Sequence, residues 1–312
     1  VVAISSANRE ISHDDRLRAE EAAAILQMPP NRKIIQIFPQ NYSVDGQDNI
    51  KDPVGMQGVR LEVDTHIITV ATPAMRALET VCEKLHLMPS NITVSSLAAV
   101  EAVLDRSQKE AGTLVLDIGS GTTNMAIIED GEIQYVGILP IGSNLLTNDL
   151  AIGLKTDLEI AELVKVKQAS LELNKTRYSK ITHEGKIHNF DGEDVTMITE
   201  ARLDELFEYV EKELKKIQKS QKLPGGVVIV GGMSNLPGIA EFAKEKLQLP
   251  ARTGLLQHAT GMVDALKGAE YVTATGLAIV DMLTIPQNTY SAMPAKKSIQ
   301  SFFKKFKNKI HY

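Results

Sequence analysis

The sequence has no tryptophan, one cysteine and only 4 % aromatic residues in 312. A lone cysteine, Cys82, excludes an intrachain disulfide and a cysteine-rich zinc site, and it reads as a small apolar core residue. The seven histidines form no ligand cluster. Their closest pair, His183 and His188, stands five apart, off the spacing that puts two residues on one helix face, so no structural metal is expected. No run approaches the roughly 20 apolar residues that cross a bilayer as a helix, and Val1 to Ile4 is too short for a signal-peptide core. Acid is missing from one place: residues 296–312 hold six lysines and no carboxylate, so with a net charge of −5 for the chain the rest carries −11. An acidic body argues against nucleic acid as the main partner.

What is present is a chain that is 43 % hydrophobic, enough to bury a sizeable core and to form two or more domains. Two short apolar runs, Thr113 to Leu116 and Val227 to Val230, have the length of buried strands, and each leads into a glycine-rich turn. The first is Asp117-Ile-Gly-Ser-Gly-Thr-Thr-Asn124 and the second Gly231-Gly-Met-Ser-Asn-Leu-Pro-Gly238. Small residues after such strands let backbone N–H groups approach a phosphate or a nucleoside. In the first turn Asp117, Gly119, Ser120, Gly121, Thr122, Thr123 and Asn124 read as a phosphate-gripping tip, the hydroxyls of Ser120, Thr122 and Thr123 adding to the amides, with an ordinary tight turn as the competing reading. Asp117 is placed to order a magnesium ion through water. In the second turn Gly231, Gly232 and Met233 can lie against a flat base or ribose, although a plain strand-to-helix turn has the same composition. Glu162 and Lys165, three apart on a predicted helix, can hold ribose hydroxyls or simply form a helix salt bridge. The lysine of a Walker loop and the G-x-G-x-x-G of a dinucleotide fingerprint are both absent from these turns.

Residues 1 to about 80 read as a small α+β unit with a helix from about Asp14 to Leu26, ended by Pro29-Pro30, and alternating strands around 33–38 and 59–70. Helices are expected over Pro73 to Leu87 and Ser95 to Leu104. From Gly112 a strand, the first glycine turn, a second strand and the hairpin signal Glu129-Asp-Gly-Glu132 form a meander. Residues 157–220 are helical at both ends around a polar stretch, with Leu203, Leu206, Phe207, Val210, Leu214 and Ile217 on one face. Helices are also expected from Leu236 to Leu247 and from Gly268 to Leu283, followed by a linker over 284–297.

The basic tail has a helical pattern. At about 100° per residue, Ile299, Phe302, Phe303, Phe306 and Ile310 share one arc while Lys304 and Lys305 face away and Lys307 flanks the apolar edge. This suits an anionic lipid interface, each lysine adding about 1 kcal/mol. A helix docked on a protein groove is the competing reading.

In this order, these features resemble the FtsA family of actin-like ATP-binding proteins that tether the bacterial division ring to the membrane. The resemblance also rests on Arg9-Glu-Ile-Ser12, Pro39 to Gln47, Ile50 to Met56, Gly58 to Glu62, Leu97 to Leu104, Pro140-Ile-Gly142, Thr147-Asn-Asp149 and Ala161 to Lys165. It implies an α/β, actin-like (ribonuclease-H-like) two-lobed fold with a small α+β subdomain inserted at the N-terminus of this chain. By the same likeness, residues 1–80 would be that self-association subdomain, 81–110 a remnant of the first lobe, 111–156 and 226–283 the second lobe, and 157–225 a helical module for the C-terminal tail of FtsZ, including Arg202. Residues 298–312 would be the membrane-targeting helix. ATP with Mg2+ would be the cofactor, Gly142 would join the nucleotide contacts, and the place of work would be the cytoplasmic face of the membrane at the division site. The family's first Asp-x-Gly-Thr hairpin has no counterpart here, so the likeness implies a chain lacking the family's N-terminal part, with at most slow hydrolysis. A pilus-assembly adaptor and a kinase of the sugar-kinase and chaperone superfamily share the fold and are the rival readings.

Overall fold

The computed structural model describes residues 1–4, 9–25, 29–89, 92–172, 178–256 and 268–284. They fall into two compact units. One is Val1–Thr93 with Glu132–Gln134; the other comprises Val94–Gly131 and the described residues from Tyr135 onward.

The first unit contains β1 (Val2–Ala3), α1 (His13–Ala24), β2 (Arg32–Val44), β3 (Gln47–Ile50), β4 (Arg60–Ala71) and α2 (Thr72–Lys84). Helix α1 begins where Ser12 and Asp15 satisfy each other's amides, with Ser12 N donating to Asp15 Oδ2 at 2.9 Å and Asp15 N to Ser12 Oγ at 3.2 Å. The Ser12 hydrogen bonds and nearby Arg18 hold the Asp15 carboxyl below its ordinary value. The antiparallel sheet has the order β1-β4-β2-β3. Its long β2–β4 ladder shifts register between Pro39 and Asn41; proline has no amide to donate, which confines it to such an irregularity or an edge. Ile4, Ile11, Ala19, Tyr42, Val44 and Leu61 form the core. Cys82 is half-buried on α2 and not in that core, because the helix buries Met75 and leaves Leu78 and Val81 exposed.

The second unit runs α3 (Ser95–Val103), α4 (Arg106–Ala111), β5 (Thr113–Ile118), β6 (Thr123–Glu129), β7 (Glu132–Leu139), α5 (Ser143–Gly153), α6 (Leu158–Gln168), β8 (Tyr178–His183), β9 (Lys186–Asp191), α7 (Gly192–Lys216), β10 (Gly226–Val230), α8 (Ile239–Leu247), β11 (Ala251–Thr253) and α9 (Val272–Thr284). Its sheet has the order β11-β10-β5-β6-β7, with β10 parallel to β5 and β11 and β5 antiparallel to β6. Asp130 (φ 53°) and Gly131 (φ 74°) make the tight turn between β6 and β7, as the Asp-Gly signal requires.

Helices cover both faces of this sheet, which is why β5 and β10 read as unbroken apolar runs. Leu114, Leu116, Met125, Ile127, Val227 and Ile229 pack with side chains from α5, α6, α7 and α8. Helix α3 lies against β5 and β6 and packs on α9. The α3–α9 crossing is so close that a Cβ on Gly276 would come within 1.9 Å of Ala98 O. On α7 the expected stripe is buried from Leu203 to Leu214, and Ile217 packs against the core edge. Among the described residues no helix is long and apolar enough to cross a membrane. The linker beyond Thr284 and the terminal helix, with Ile299, Phe302, Phe303, Phe306, Ile310, Lys304, Lys305 and Lys307, lie outside the described residues.

Candidate functional site

Strands β5 and β10 are parallel neighbours, and Asp117 is paired with Val230. The chain therefore leaves both strands at the same end of the sheet, the end where open α/β sheets bind ligands. The two glycine turns touch there. Gly231 has φ +85°, and a Cβ on it would stand 2.6 Å from Ile118 O and 2.7 Å from Asp117 Oδ1, so glycine alone allows the approach. Asp117 is buried, with 8 % exposed, and its Oδ2 accepts a hydrogen bond from Thr273 Oγ1 at 3.2 Å. Gly231 N donates to Ala269 O at 3.2 Å. The segment that starts α9 is thus tied to both turns.

At the tip of the first turn Gly119 N donates to Thr122 O at 3.0 Å, which closes the hairpin. Ser120, Gly121 and Thr122 are exposed and Asn124 is half-buried. Among the described residues, a Cβ on Gly121 or on Gly232 would meet nothing within 4 Å, so open space lies beside both. The Thr123 hydroxyl, expected to reach a phosphate, is turned the other way: it is fully buried and donates to Ile141 O at 2.8 Å. Alternation along β6 puts Thr123 on the same face as Met125 and Ile127, toward the core. Met233 is likewise turned into the core, leaving Gly232 as the exposed residue of Gly231, Gly232 and Met233.

The start of α5 is locked onto the same hairpin. Ser143 N donates to Gly119 O at 2.9 Å and Asn144 N to Ser120 O at 2.8 Å, which satisfies two of the amides that a helix start leaves unpaired. Gly142 lets this happen, since a Cβ there would fall 2.4 Å from Ser120 O. Glu162 and Lys165 on α6 do form a salt bridge, at 2.6 Å, and they share it with Thr147 of α5. Burial raises the Glu162 carboxyl, but the hydrogen bonds from Lys165 and Thr147 outweigh it and hold the group below its ordinary value. Sequence reasoning missed Thr147 and Thr273 as members of this cluster; each reaches its partners across elements, where no local pattern points to the contact.

Arg202 on α7 sits elsewhere in the unit, paired with Asp149 of α5 and Glu205 of its own helix. The hydrogen bond to Asp149 is the main cause that raises its pKa. A cavity of about 170 Å³ lined by Asp157, Glu159, His183 and His188 contains none of the expected nucleotide residues. The two histidines reach it together through the β8–β9 register, in which Ile181 faces His188 and His183 faces Lys186, and not through helical spacing. Among the described residues no group of three or more His, Cys, Asp or Glu is arranged to hold a metal ion. Magnesium at Asp117 would take most of its ligands from phosphate and water, as this ion commonly does.

The comparisons with known proteins agree with this architecture. The family model described as "Cell division protein FtsA" matches residues 114–276, and the model "SHS2 domain inserted in FTSA" matches residues 1–69. The chain is 34 % identical to the cell division protein FtsA of Neisseria meningitidis serogroup B over 274 residues, covering 86 % of this chain and 66 % of that protein. With the FtsA of Bacillus subtilis it shares 33 % identity, covering 89 % and 63 % respectively. With that of Borreliella burgdorferi it shares 32 %, covering 89 % and 69 %. The chain thus spans roughly two thirds of the length of the curated relatives it matches, 63 % in the B. subtilis case. Among solved structures it is similar to MreB5 of Spiroplasma citri bound to ADP, with TM-score 0.56, 18 % identity and 68 % and 66 % of the two chains covered. It is also similar to a chain of the PilM-PilN type IV pilus biogenesis complex, with TM-score 0.59, 18 % identity and 85 % and 71 % covered. The fold is actin-like, with an SHS2 unit at the start of the chain, and the protein belongs to the FtsA family.

Proposed function

We propose that this chain works in bacterial cell division as an actin-like, ATP-binding adaptor that self-associates and anchors FtsZ filaments to the cytoplasmic membrane at the division site. One observation carries the nucleotide part: the two glycine turns meet at the C-terminal ends of the parallel strands β5 and β10, with open space beside Gly121 and Gly232. The tip amides of 119–122 and the hydroxyls of Ser120 and Thr122 take the phosphates, and Asp117 orients a water on magnesium. Glu162 and Lys165 hold the ribose, and Gly231 to Met233 supply a backbone surface for adenosine, with Gly232 the exposed part. ATP supplies binding energy and phosphate charge that bias assembly; hydrolysis is at most slow. The ADP in the MreB5 structure supports the assignment by likeness of fold.

Within the same reading residues 1–80 serve self-association, and 157–225, with Arg202, receive the FtsZ tail. The helix over 298–312 inserts its aromatic face into an anionic membrane surface. Two experiments test this. Equilibrium binding of ATP to the full chain with and without Mg2+ should show magnesium-dependent binding that Ser120→Ala with Thr122→Val weakens; a chain with no ATP binding at millimolar nucleotide refutes the nucleotide part. Co-sedimentation with anionic vesicles should be lost when Phe302, Phe303 and Phe306 are replaced by alanine, and unchanged pelleting refutes the membrane part.

A further inference from the structure

Thr147 is buried, with 7 % exposed, yet its hydroxyl is fully used. It donates to Glu162 Oε2 at 2.6 Å and accepts from Lys165 Nζ at 2.9 Å. Lys165 is itself enclosed, its side chain only 10 % exposed, and also reaches Ser143 O at 3.4 Å. The Glu162 side chain is 48 % exposed, so its carboxylate is the member of the trio that faces outward. Ser143 in turn donates its amide to Gly119 of the phosphate-candidate hairpin. A continuous polar chain therefore joins Glu162 to the glycine turn through one buried hydroxyl.

From this we infer that Thr147 is a positioning residue: together with the enclosed Lys165 ammonium it fixes the Glu162 carboxylate as a preset acceptor for a sugar cis-diol, and so makes the site select ribonucleotides over 2′-deoxyribonucleotides. The inference rests on the nucleotide reading above. A flexible surface Glu-Lys pair three apart on a helix samples many rotamers and contributes a few tenths of a kcal/mol at most. The buried hydroxyl changes that, because a threonine χ1 is stiff and both partners are held from one atom before any ligand arrives. A prepaid geometry is what lets a hydrogen bond to a sugar hydroxyl discriminate. A hydroxyl lost from a diol then leaves a charged acceptor short of one partner, which costs on the order of tenfold in affinity or more.

The test has two arms on the full chain. In the first, the Glu162 side-chain carboxyl is titrated by NMR without nucleotide in wild type, Thr147→Ser, Thr147→Val and Thr147→Ala. The midpoint should rise toward the ordinary carboxylate value in the valine and alanine variants and stay low in the serine variant; an unmoved midpoint overturns the positioning role whatever the nucleotide data say. In the second, ATP and 2′-deoxyATP are titrated calorimetrically. Wild type and Thr147→Ser should prefer ATP about tenfold, and Thr147→Val should lose most of that preference. Wild type binding both nucleotides equally overturns the inference, whereas wild type binding neither overturns the nucleotide reading itself. Should the valine and alanine variants fail to fold, Glu162→Gln, altered at a half-exposed carboxylate, must lose the same preference; its retention counts against the preset acceptor.

Discussion

The turn after β5 is held by the main chain of its neighbours and leaves its tip in solvent, while the turn after β10 is held by contact at its own glycine and leaves only Gly232 exposed of its first three residues. Both follow a buried apolar strand, and in the sequence they look alike. The difference shows that a glycine-rich turn can serve two separate needs. At Gly231 the missing Cβ makes room for Ile118 and Asp117, which is a demand of the fold. At Gly121 and Gly232 the missing Cβ leaves space that no atom of the described residues fills within 4 Å, which is room for something else.

That contrast can be broken by substitution. Gly231→Ala should cost about 3 kcal/mol, the sum of a positive-φ penalty and an overlap with backbone that cannot move aside. Denaturant unfolding measures it, and a cost below about 1 kcal/mol would mean that the close approach is not fixed. Thr123→Val removes a buried donor and leaves Ile141 O short of a partner, at about 1–2 kcal/mol of stability. Because that hydroxyl faces away from the tip, ATP affinity measured on the folded fraction should be unchanged. Gly232→Ala and Gly121→Ala should change stability by no more than about 0.5 kcal/mol, since the added methyl meets no atom of the described residues within 4 Å, yet they should weaken ATP binding in calorimetry. Equal stability losses at Gly231 and Gly232 would erase the distinction.

The smallest effect is that of acid. Asp15 is held below its ordinary 3.8 chiefly by the Ser12 hydrogen bonds, Asp105 below 3.8 chiefly by the Gln108 amide, and Glu162 below 4.5 by Lys165 and Thr147 against an opposing burial effect. A depressed folded value means that the contribution is present above the unfolded value and is lost as pH falls through the folded one. Stability should therefore decline below about pH 4.5, modestly, in unfolding curves taken from pH 6 to pH 3.

Much of the second unit is legible in the sequence because its signals are local. Asp130-Gly131 dictates a tight turn, the Leu203 to Leu214 stripe dictates one face of α7, and continuous apolar runs mark β5 and β10. Helix α5 is harder to read. Its cap residue Gly142 makes no side-chain cap hydrogen bond, and the partners of its first amides are carbonyls more than twenty residues earlier. The site divides in the same way. Position and turn chemistry identify the two glycine turns, but the direction of each side chain does not follow from them. Thr122 and Thr123 are chemically identical neighbours, and only the strand parity of Met125 and Ile127 says which hydroxyl points inward. Thr147 and Lys165 lie on separate helices, so their meeting depends on how α5 and α6 pack.

The β5 hairpin has one more property. Residues 117–124 include one acid and no base, and two amides at the head of α5 are already given to Gly119 and Ser120. An anion seated there would be met by dipoles and a divalent ion, with no arginine or lysine from the loop itself. Mobile ions screen over about 8 Å at physiological ionic strength, farther than a hydrogen bond reaches. Raising sodium chloride should leave such binding nearly level, whereas a chelator should abolish it.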